Sequence, residues 1–163
     1  VEVSGSQDSI GIVYPGLNRL HYRGGYWPER IESVHDEAVL HFIEEHLQLL
    51  PLSPRGQGFS VLEGTRIDAT GAKALAGAAD ACWKALLAMD AHAFGAAFRR
   101  SFEAQVAMFP NMVDAGIRSL IATHADEVLG WKLSGAGGGG YLILVRKKPM
   151  PGTLRITIRR NNW

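Results

Sequence analysis

Hydrophobic and polar residues alternate in two short segments near the start of the chain, at residues 17–22 and 30–34. Alternation with a period of two is typical of half-buried strands, so the pattern predicts a pair of strands. The apolar residues just before them predict a brief helix or turn that stops at Pro15-Gly16.

The next segment carries a helix signal, a strand signal and a loop signal in turn. Ser33 with Asp36 predicts the cap of a short helix that runs through about Glu45. Residues 47–52 then predict a buried strand that ends at its prolines. Residues 53–65 are rich in Pro, Arg, Gly, Gln and Ser, a composition typical of an exposed loop.

Three amphipathic helices are predicted in the middle of the chain, because apolar residues recur there at three- and four-residue steps. Asp90 is a natural N-cap for the second helix and Asn111 for the third, after Pro110 breaks the pattern. We interpret the three apolar stripes as core. Their residues are Ala72, Leu75, Ala76, Ala79, Trp83, Leu86 and Leu87; Phe94, Ala97, Phe98, Phe102, Val106 and Phe109; and Val113, Ile117, Leu120 and Ile121.

The end of the chain returns to strand periodicity. Residues 128–134 and 141–145 predict two strands joined by a glycine loop, and the alternation of residues 154–159 predicts a last, half-exposed strand. Strands, then a helical block, then strands favour an α+β fold with a mainly antiparallel sheet that is covered on one face by about three to four helices. We expect residues 1–163 to form a single domain.

Composition excludes several classes of protein. The formal net charge of +1 predicts no strong attraction to nucleic acid or to anionic lipid, and no apolar run reaches the roughly 18–20 residues that span a bilayer. Cys82 is the single cysteine, so these residues form no internal disulfide; its apolar neighbours favour a buried, inert thiol in a reducing cytoplasm. No histidine spacing matches a known ligand set, so no metal site is expected.

Residues 132–140 are the strongest local signal, because all but one of the last six are glycine. A folded protein keeps successive glycines where φ must be positive, or where a ligand or another backbone comes close. Their N–H groups can form an anion-binding concavity. The dinucleotide fingerprint is excluded, since the glycines lead into a strand and no acidic residue follows about 20 positions later. Two alternatives remain: an anion beside the loop, or a tight crossing of backbones without a ligand.

Two segments near opposite ends of the chain resemble conserved motifs of one kinase superfamily. The third motif of the galactokinase–homoserine kinase–mevalonate kinase superfamily, K-L/I-S/T-G-A-G-G-G-G, resembles the run Lys132-Leu133-Ser134-Gly135-Ala136-Gly137-Gly138-Gly139-Gly140. The sugar-kinase branch, with its heptose 7-phosphate kinases and fucokinase-like enzymes, has a K-Q-D-Q segment followed by Y/F-G-G-F/L-N. That segment is similar to Ser6-Gln7-Asp8-Ser9 and the Tyr14-Pro15-Gly16-Leu17-Asn18 that follows. The three predicted helices also occur in the order that the family has.

The resemblance implies a set of functional residues. Asp8 matches the catalytic carboxylate, which accepts or orients the proton of the substrate hydroxyl that attacks the γ-phosphate. The glycine loop borders the phosphate donor and the substrate, so the implied phosphate- or substrate-binding residues are Lys132, Ser134, Gly135, Ala136, Gly137, Gly138 and Gly139. Simpler roles stay open for two of them: Asp8 as the cap of the following helical turn, and Lys132 as a surface lysine.

The resemblance corresponds to the C-terminal part of such a kinase, with a ferredoxin-like fold. It implies a sugar or sugar phosphate as substrate, and ATP with Mg²⁺ as cofactors of the intact enzyme. The family's main phosphate loop, P-x-x-x-G-L-G-S-S-A, is not among these residues, and the strand-like opening at residues 1–6 begins without methionine. We therefore expect the N-terminal half of the same protein as a partner, little turnover by the isolated chain, and an exposed docking face that favours self-association.

An alternative from another class is a non-catalytic α+β module that binds RNA or phosphorylated ligands through the glycine loop and a basic C-terminal end. That end carries, without any acid, Arg146, Lys147, Lys148, Arg155, Arg159 and Arg160. Such an end is equally typical of a solvated sheet edge that its charge protects from aggregation. RNA readers of this architecture stack bases on exposed aromatic residues of the sheet, and the alternating strands here offer mostly aliphatic residues and arginines. The kinase is therefore the favoured function.

Overall fold

The structure, a computed structural model, describes residues 5–160, so the first four residues of the strand-like opening expected at residues 1–6 lie outside the described residues, and Ser6 begins a helix. The chain divides into two compact units. Unit 1 comprises the residues up to Glu44 together with those from Thr157 onward, and unit 2 spans Glu45–Ile156. The single domain expected for residues 1–163 stays a prediction.

Unit 1 begins with a short helix and a strand pair. Helix α1 (Ser6–Val13) leads into strands β1 (Leu17–His21) and β2 (Arg30–Val34), which pair antiparallel with Leu17 opposite Val34. Helix α2 (Glu37–His46) follows, and its last two residues belong to unit 2. The predicted strand pair and the short helix before Pro15 are thus confirmed.

The start of α2 differs from the prediction in one residue. The Asp36 carboxylate accepts a hydrogen bond from the Val39 amide at 3.1 Å, so Asp36 caps the helix. Ser33 does not cap it, because Ser33 lies in β2 and its hydroxyl donates to Asn18 Oδ1 at 2.6 Å.

The sheet of unit 2 has four strands in the order β4–β5–β3–β6, and every neighbouring pair is antiparallel. These strands are β3 (Leu47–Pro51), β4 (Gly130–Leu133), β5 (Tyr141–Val145) and β6 (Leu154–Arg155). The last strand is shorter than predicted, because Thr157 onward belongs to unit 1, where the Ile158 amide donates to Glu44 Oε1 at 2.6 Å.

The most buried residue of β3 is a polar one. Gln48 is 3% exposed, whereas the leucines around it are half-buried. Its amide nitrogen donates to Lys148 O at 3.1 Å, and its Oε1 accepts from the Met150 amide at 3.0 Å and from the Thr153 hydroxyl at 2.9 Å. A buried amide costs little when it is satisfied in this way, and here it fastens the turn between β5 and β6.

Three helices lie between β3 and β4: α3 (Ala69–Leu87), α4 (Ala91–Met108) and α5 (Ala115–His124). Asp68, Asp90 and Asp114 are their N-caps, and each carboxylate accepts from an amide three residues later. The prediction that Asn111 caps the third helix is wrong. Pro110 starts a 3₁₀ turn at Pro110–Met112, and the Asn111 side chain donates to Ser60 O at 2.5 Å instead.

The core of unit 2 comprises buried residues of the 3₁₀ turn, the start of α5 and the strands β4 and β5, together with residues next to them. Its buried residues are Met112, Val113, Ile117, Val128, Leu133, Leu142 and Leu144. Phe102, Val106 and Phe109 of the second predicted stripe pack against this core, as do Leu120 and Ile121 of the third. Val113 is buried as predicted, although it lies before α5 rather than within it.

The first stripe is only partly buried: Leu86 is buried, and Leu75 and Trp83 are half-buried. Ala72, Ala76, Ala79 and Leu87 are exposed, and the buried residues of this helix are Ala78, Ala85 and Leu86. An alanine-rich helix has apolar residues on most of its faces, so periodicity alone does not fix the face that packs.

The α+β class is confirmed: in residues 5–160, five α-helices accompany a two-stranded and a four-stranded antiparallel sheet. The ferredoxin-like arrangement stays a prediction. Within the same residues, no helix combines the length and the apolar character needed to cross a membrane.

Candidate functional site

The glycine loop connects β4 to β5 as the sequence predicts. The Ser134 amide donates to Tyr141 O at 3.0 Å and closes the loop, which therefore spans residues 135–140. Ser134, Gly135, Ala136, Gly137, Gly138 and Gly139 thus lie together beyond the end of β4, in unit 2.

Gly137 and Gly138 are required where they stand. Both have a left-handed backbone, with φ of +74° and +67°. A Cβ on Gly137 would lie 2.7 Å from Met112 O, and one on Gly138 would lie 2.2 Å from the ring of Phe59. The Gly138 amide also donates to Met112 O at 2.9 Å. This part of the loop therefore has the tight backbone crossing that was one of the two alternatives.

The segment at residues 53–65 has no helix or strand, as predicted, and it lies against the glycine loop. Arg55 Nε donates to Gly137 O at 2.9 Å, and the Arg55 guanidinium lies 5.6 Å from the centre of the Phe59 ring. The Leu52 amide donates to Gly140 O at 2.9 Å. These contacts hold two glycine-rich segments side by side.

A cavity of about 350 Å³ opens between these two segments and the start of α5. Gly138 and Gly139 form one wall of it, and Asp114 and Gly116 of the first turn of α5 form another. The remaining lining residues are Pro51, Leu52, Ser53, Pro54, Gly56, Ile117 and Leu120.

The glycine loop has two backbone donors, one in the cavity wall and one next to it in the chain, that are not used elsewhere. The amides of Gly139 and Gly140 donate to no acceptor among residues 5–160, and Gly139 lines the cavity. The start of α5 adds the positive end of a helix dipole. Asp114 also lines the cavity at this helix start, and the negative charge of its carboxylate repels a bare anion. The donors suit a phosphate group whose charge is partly neutralised, for example by a cation, or an uncharged ligand rich in hydroxyls.

Lys132 lies in β4 with its ammonium directed to α4, where Nζ donates to Gln105 Oε1. Burial lowers the pKa of Lys132 to about 8, although the charge of Cys82 acts in the opposite direction. Burial likewise raises the pKa of the Cys82 thiol to about 11, which fits the inert cysteine of the prediction. Lys132 is half-buried, so it is not a surface lysine, and its binding to phosphate stays a prediction.

Asp8 belongs to unit 1 and lies in the first turn of α1 with its side chain exposed. No side chain caps this helix, so a carboxylate in its first turn is favoured by the helix dipole. Ser6, two residues earlier, is 1% exposed, and its hydroxyl makes hydrogen bonds to the Tyr22 hydroxyl at 2.9 Å and to Tyr26 O at 2.5 Å. The carboxylate thus projects from a turn that is fixed at its start.

Two arginines of the basic C-terminal end have acidic partners. Arg146 pairs with Glu127 at 3.3 Å in unit 2, and Arg160 pairs with both Glu37 and Glu44 in unit 1. The hydrogen bond from Arg160 lowers the pKa of Glu44. Arginines held by carboxylates are less available to a polyanion than the sequence alone suggests.

Sequence reasoning missed Arg55, Phe59 and Asp114 as neighbours of the glycine loop. All three are distant from it in sequence, and only the chain path brings them to it. Across residues 5–160, no three His, Cys, Asp or Glu side chains are grouped so that they could hold a metal ion. No protein-family model and no curated protein matches the chain.

Proposed function

We propose that this chain is the C-terminal part of an ATP-dependent small-molecule kinase, which phosphorylates a hydroxyl of a sugar or sugar phosphate in the cytoplasm. The observation that carries this function is the cavity of about 350 Å³ beside the glycine loop. Phosphoryl transfer depends on positioning and on fixed donors, and unused amides at a glycine loop are donors of that kind.

The order of the motifs is the second support. An S-Q-D-S segment with its Y-P-G-L-N, and a K-L-S-G-A-G-G-G-G loop before a strand, resemble two motifs of one superfamily and occur in its order. In the intact enzyme, ATP as its magnesium complex supplies the phosphoryl group. The residues of this chain that would hold phosphate oxygens are the amides of Gly139 and Gly140, and the N-terminal half of the protein would supply the main phosphate loop.

Asp8 has the base role in this function. Its exposed carboxylate accepts a hydrogen bond from the attacking hydroxyl and takes or orients its proton, and it lies in the first turn of α1, where the helix dipole favours a negative charge. A carboxylate that fulfils this role contributes about 10²–10⁴-fold to the rate.

The direct test measures ADP release by the full natural polypeptide with a panel of hexoses, heptoses and their phosphates. We expect ATP consumption with at least one of them, and a kcat that Asp8→Asn lowers by about 10²–10⁴-fold. The matched control is Asp126→Asn, which alters an exposed aspartate in unit 2. A polypeptide that consumes no ATP with any member of the panel, or an Asp8→Asn variant as active as the natural protein, would overturn this function.

A second test addresses the cavity in the chain itself. Titration with magnesium pyrophosphate should shift the amide NMR signals of Gly139 and Gly140, and Asp114→Asn should strengthen the binding because it removes the opposing charge. The amide of Gly24, an open glycine of unit 1 with φ of +80°, serves as the control. Shifts of equal size at Gly24 would mean that the binding is unspecific.

A further inference from the structure

Part of the cavity wall beside the glycine loop is a short segment without helix or strand. Ser53, Pro54 and Gly56 line the cavity, and we call residues 53–56 the wall segment. All four of its residues are exposed. Exposed irregular backbone keeps one position only where a side chain or a neighbouring segment holds it. The shape of the cavity therefore depends on what holds the wall segment.

Arg55 makes the hydrogen bond that joins the wall segment to the glycine loop. Its Nε donates to Gly137 O at 2.9 Å. In the part of the chain that the structure describes, this is the one hydrogen bond between residues 53–56 and a distant segment. The bond from the Phe59 amide to Gly56 O, at 3.3 Å, closes a local turn.

The Arg55 side chain contacts the glycine loop along its length. A Cβ on Gly139 would lie 3.1 Å from Arg55 Cγ and 2.7 Å from Ser53 O, so the wall segment and the glycine loop touch at Gly139. At its far end the guanidinium lies 5.6 Å from the centre of the Phe59 ring, and this ring contacts Gly138. The stem, the Nε–H group and the charge of the arginine thus each have a contact of their own.

Two roles are conceivable for an arginine in this position. It could hold the wall segment through Nε, or it could attract an anion through its charge, since its contacts in residues 5–160 are a carbonyl and a ring and not a carboxylate. Arg55 itself does not line the cavity, whereas Pro54 and Gly56 on either side of it do. This arrangement favours the holding role.

We propose that Arg55 is a positioning residue of the cavity. Through its hydrogen bond to Gly137 O it keeps the wall segment against the glycine loop, and it thereby sets the affinity of the cavity for a ligand that carries phosphate. A wall that is already in place raises affinity, because binding does not have to order it. That the ligand carries phosphate rests on the proposed function; the holding of the wall segment does not.

Three substitutions at Arg55 separate the hydrogen bond from the charge. Arg55→Gln places an amide N–H group at the position of Nε and removes the charge. Arg55→Lys keeps the charge but has a methylene group at that position, and Arg55→Met has neither the donor nor the charge. The control is Arg66→Met, which removes the charge of another exposed arginine of unit 2.

The experiment titrates the 163-residue chain with magnesium pyrophosphate and follows the amide NMR signal of Gly139. Arg55→Met should raise the Kd about 3–10-fold, as the loss of one hydrogen bond implies, and Arg55→Lys should resemble it. Arg55→Gln and the control should stay within about twofold of the natural chain. Urea unfolding should keep its midpoint in every variant, because Arg55 is exposed and lies outside the core.

Hydrogen exchange without any ligand tests the holding of the wall segment separately. The Leu52 amide, next to the wall segment, donates to Gly140 O at 2.9 Å. It should exchange faster in Arg55→Met than in the natural chain or in Arg55→Gln, because the neighbouring segment opens more often. The same exchange rate in all three proteins would overturn the holding role.

The titration distinguishes failure of this role from failure of the proposed function. An equal Kd in the natural chain and Arg55→Met would overturn the positioning role and keep the phosphate ligand. Binding that Arg55→Lys retains and Arg55→Gln loses would assign Arg55 to attraction by charge and would overturn the hydrogen bond as the cause. No binding by the natural chain, with faster Leu52 exchange in Arg55→Met, would remove the phosphate ligand and keep Arg55 as the residue that holds the wall.

Discussion

At the scale of single residues, the glycine loop combines two demands that differ from one glycine to the next. Gly138 has a left-handed backbone and also touches the Phe59 ring, whereas Gly140 has φ of +84° and open space around its Cα. The sequence alone does not distinguish these two glycines. The structure separates a glycine needed for packing from a glycine needed for its backbone angle alone.

Substitution of these two glycines should therefore differ in cost. Gly138→Ala should lower the free energy of unfolding by about 2–4 kcal/mol, because the methyl group clashes with Phe59 and φ is unfavourable. Gly140→Ala should cost only about 1–2 kcal/mol from the backbone angle. Urea unfolding of both variants measures the difference, and equal losses would contradict the contact with Phe59.

Lys132 should make stability depend on pH in the alkaline range. Burial lowers its pKa in the folded protein to about 8, below the ordinary value of 10.5. Between these two values the unfolded chain holds the proton more tightly, so stability rises with pH there. Lys132→Met should remove this rise and should stabilise the protein by about 1–2 kcal/mol at pH 7.

The measurement is urea unfolding at intervals from pH 7 to pH 10.5, with Lys73→Met as the control at an exposed lysine of α3. If the natural chain and Lys132→Met showed the same pH dependence, the ammonium would not be buried as described.

At the scale of elements, the helix N-caps show which features neighbouring residues predict correctly and which they do not. Asp90 is predicted as a cap from its neighbours alone, and its carboxylate does accept the Ala93 amide at 3.0 Å. Asn111 has an equally good local pattern but bonds to Ser60 O, because Pro110 begins a separate turn. Asp114, three residues later, takes the cap of α5.

Asp114→Ala should therefore destabilise α5, while Asn111→Ala should not. Loss of the cap costs about 1 kcal/mol, and Asp114→Asn should retain most of the stability. Hydrogen exchange of the Ile117 amide, which donates to Asp114 Oδ1 at 2.7 Å, reports on this cap directly. Faster exchange of that amide in Asn111→Ala than in Asp114→Ala would return the cap to Asn111.

At the scale of the whole molecule, the strands of the two units differ in how deeply they are buried. Every residue of β1 is only half-buried, and β1 pairs with a single strand. In β5, Leu142, Leu144 and Val145 are at most 1% exposed, and strands flank β5 on both sides. Two-stranded sheets are marginal by themselves, whereas interior strands over a core open only with the whole unit.

Hydrogen exchange should therefore show two levels of protection. Amides in β1 and β2 should exchange at least about tenfold faster than those of β5 under native conditions, because they open with the smaller unit. Mass spectrometry of peptic fragments, or NMR, resolves the two sets. Uniform protection across both units would mean that the chain opens as one cooperative body.

The sequence by itself determined the α+β class, the strand pair, the course of β4 into β5 and the glycine loop, because each depends on periodicity or on glycine within a few residues. It also singled out Asp8 and the loop through a resemblance. It did not determine which face of α3 is buried, since alanines make every face similar, or which residue caps α5.

Only the tertiary structure decided what surrounds the glycine loop. Arg55 and Phe59 approach it from about 80 residues earlier in the chain, and Asp114 forms a wall of the same cavity. The charges of the basic end were likewise decided by distant carboxylates, as in the pairing of Arg160 with Glu44. Contacts between residues far apart in sequence leave no local pattern, because they depend on how the whole chain packs.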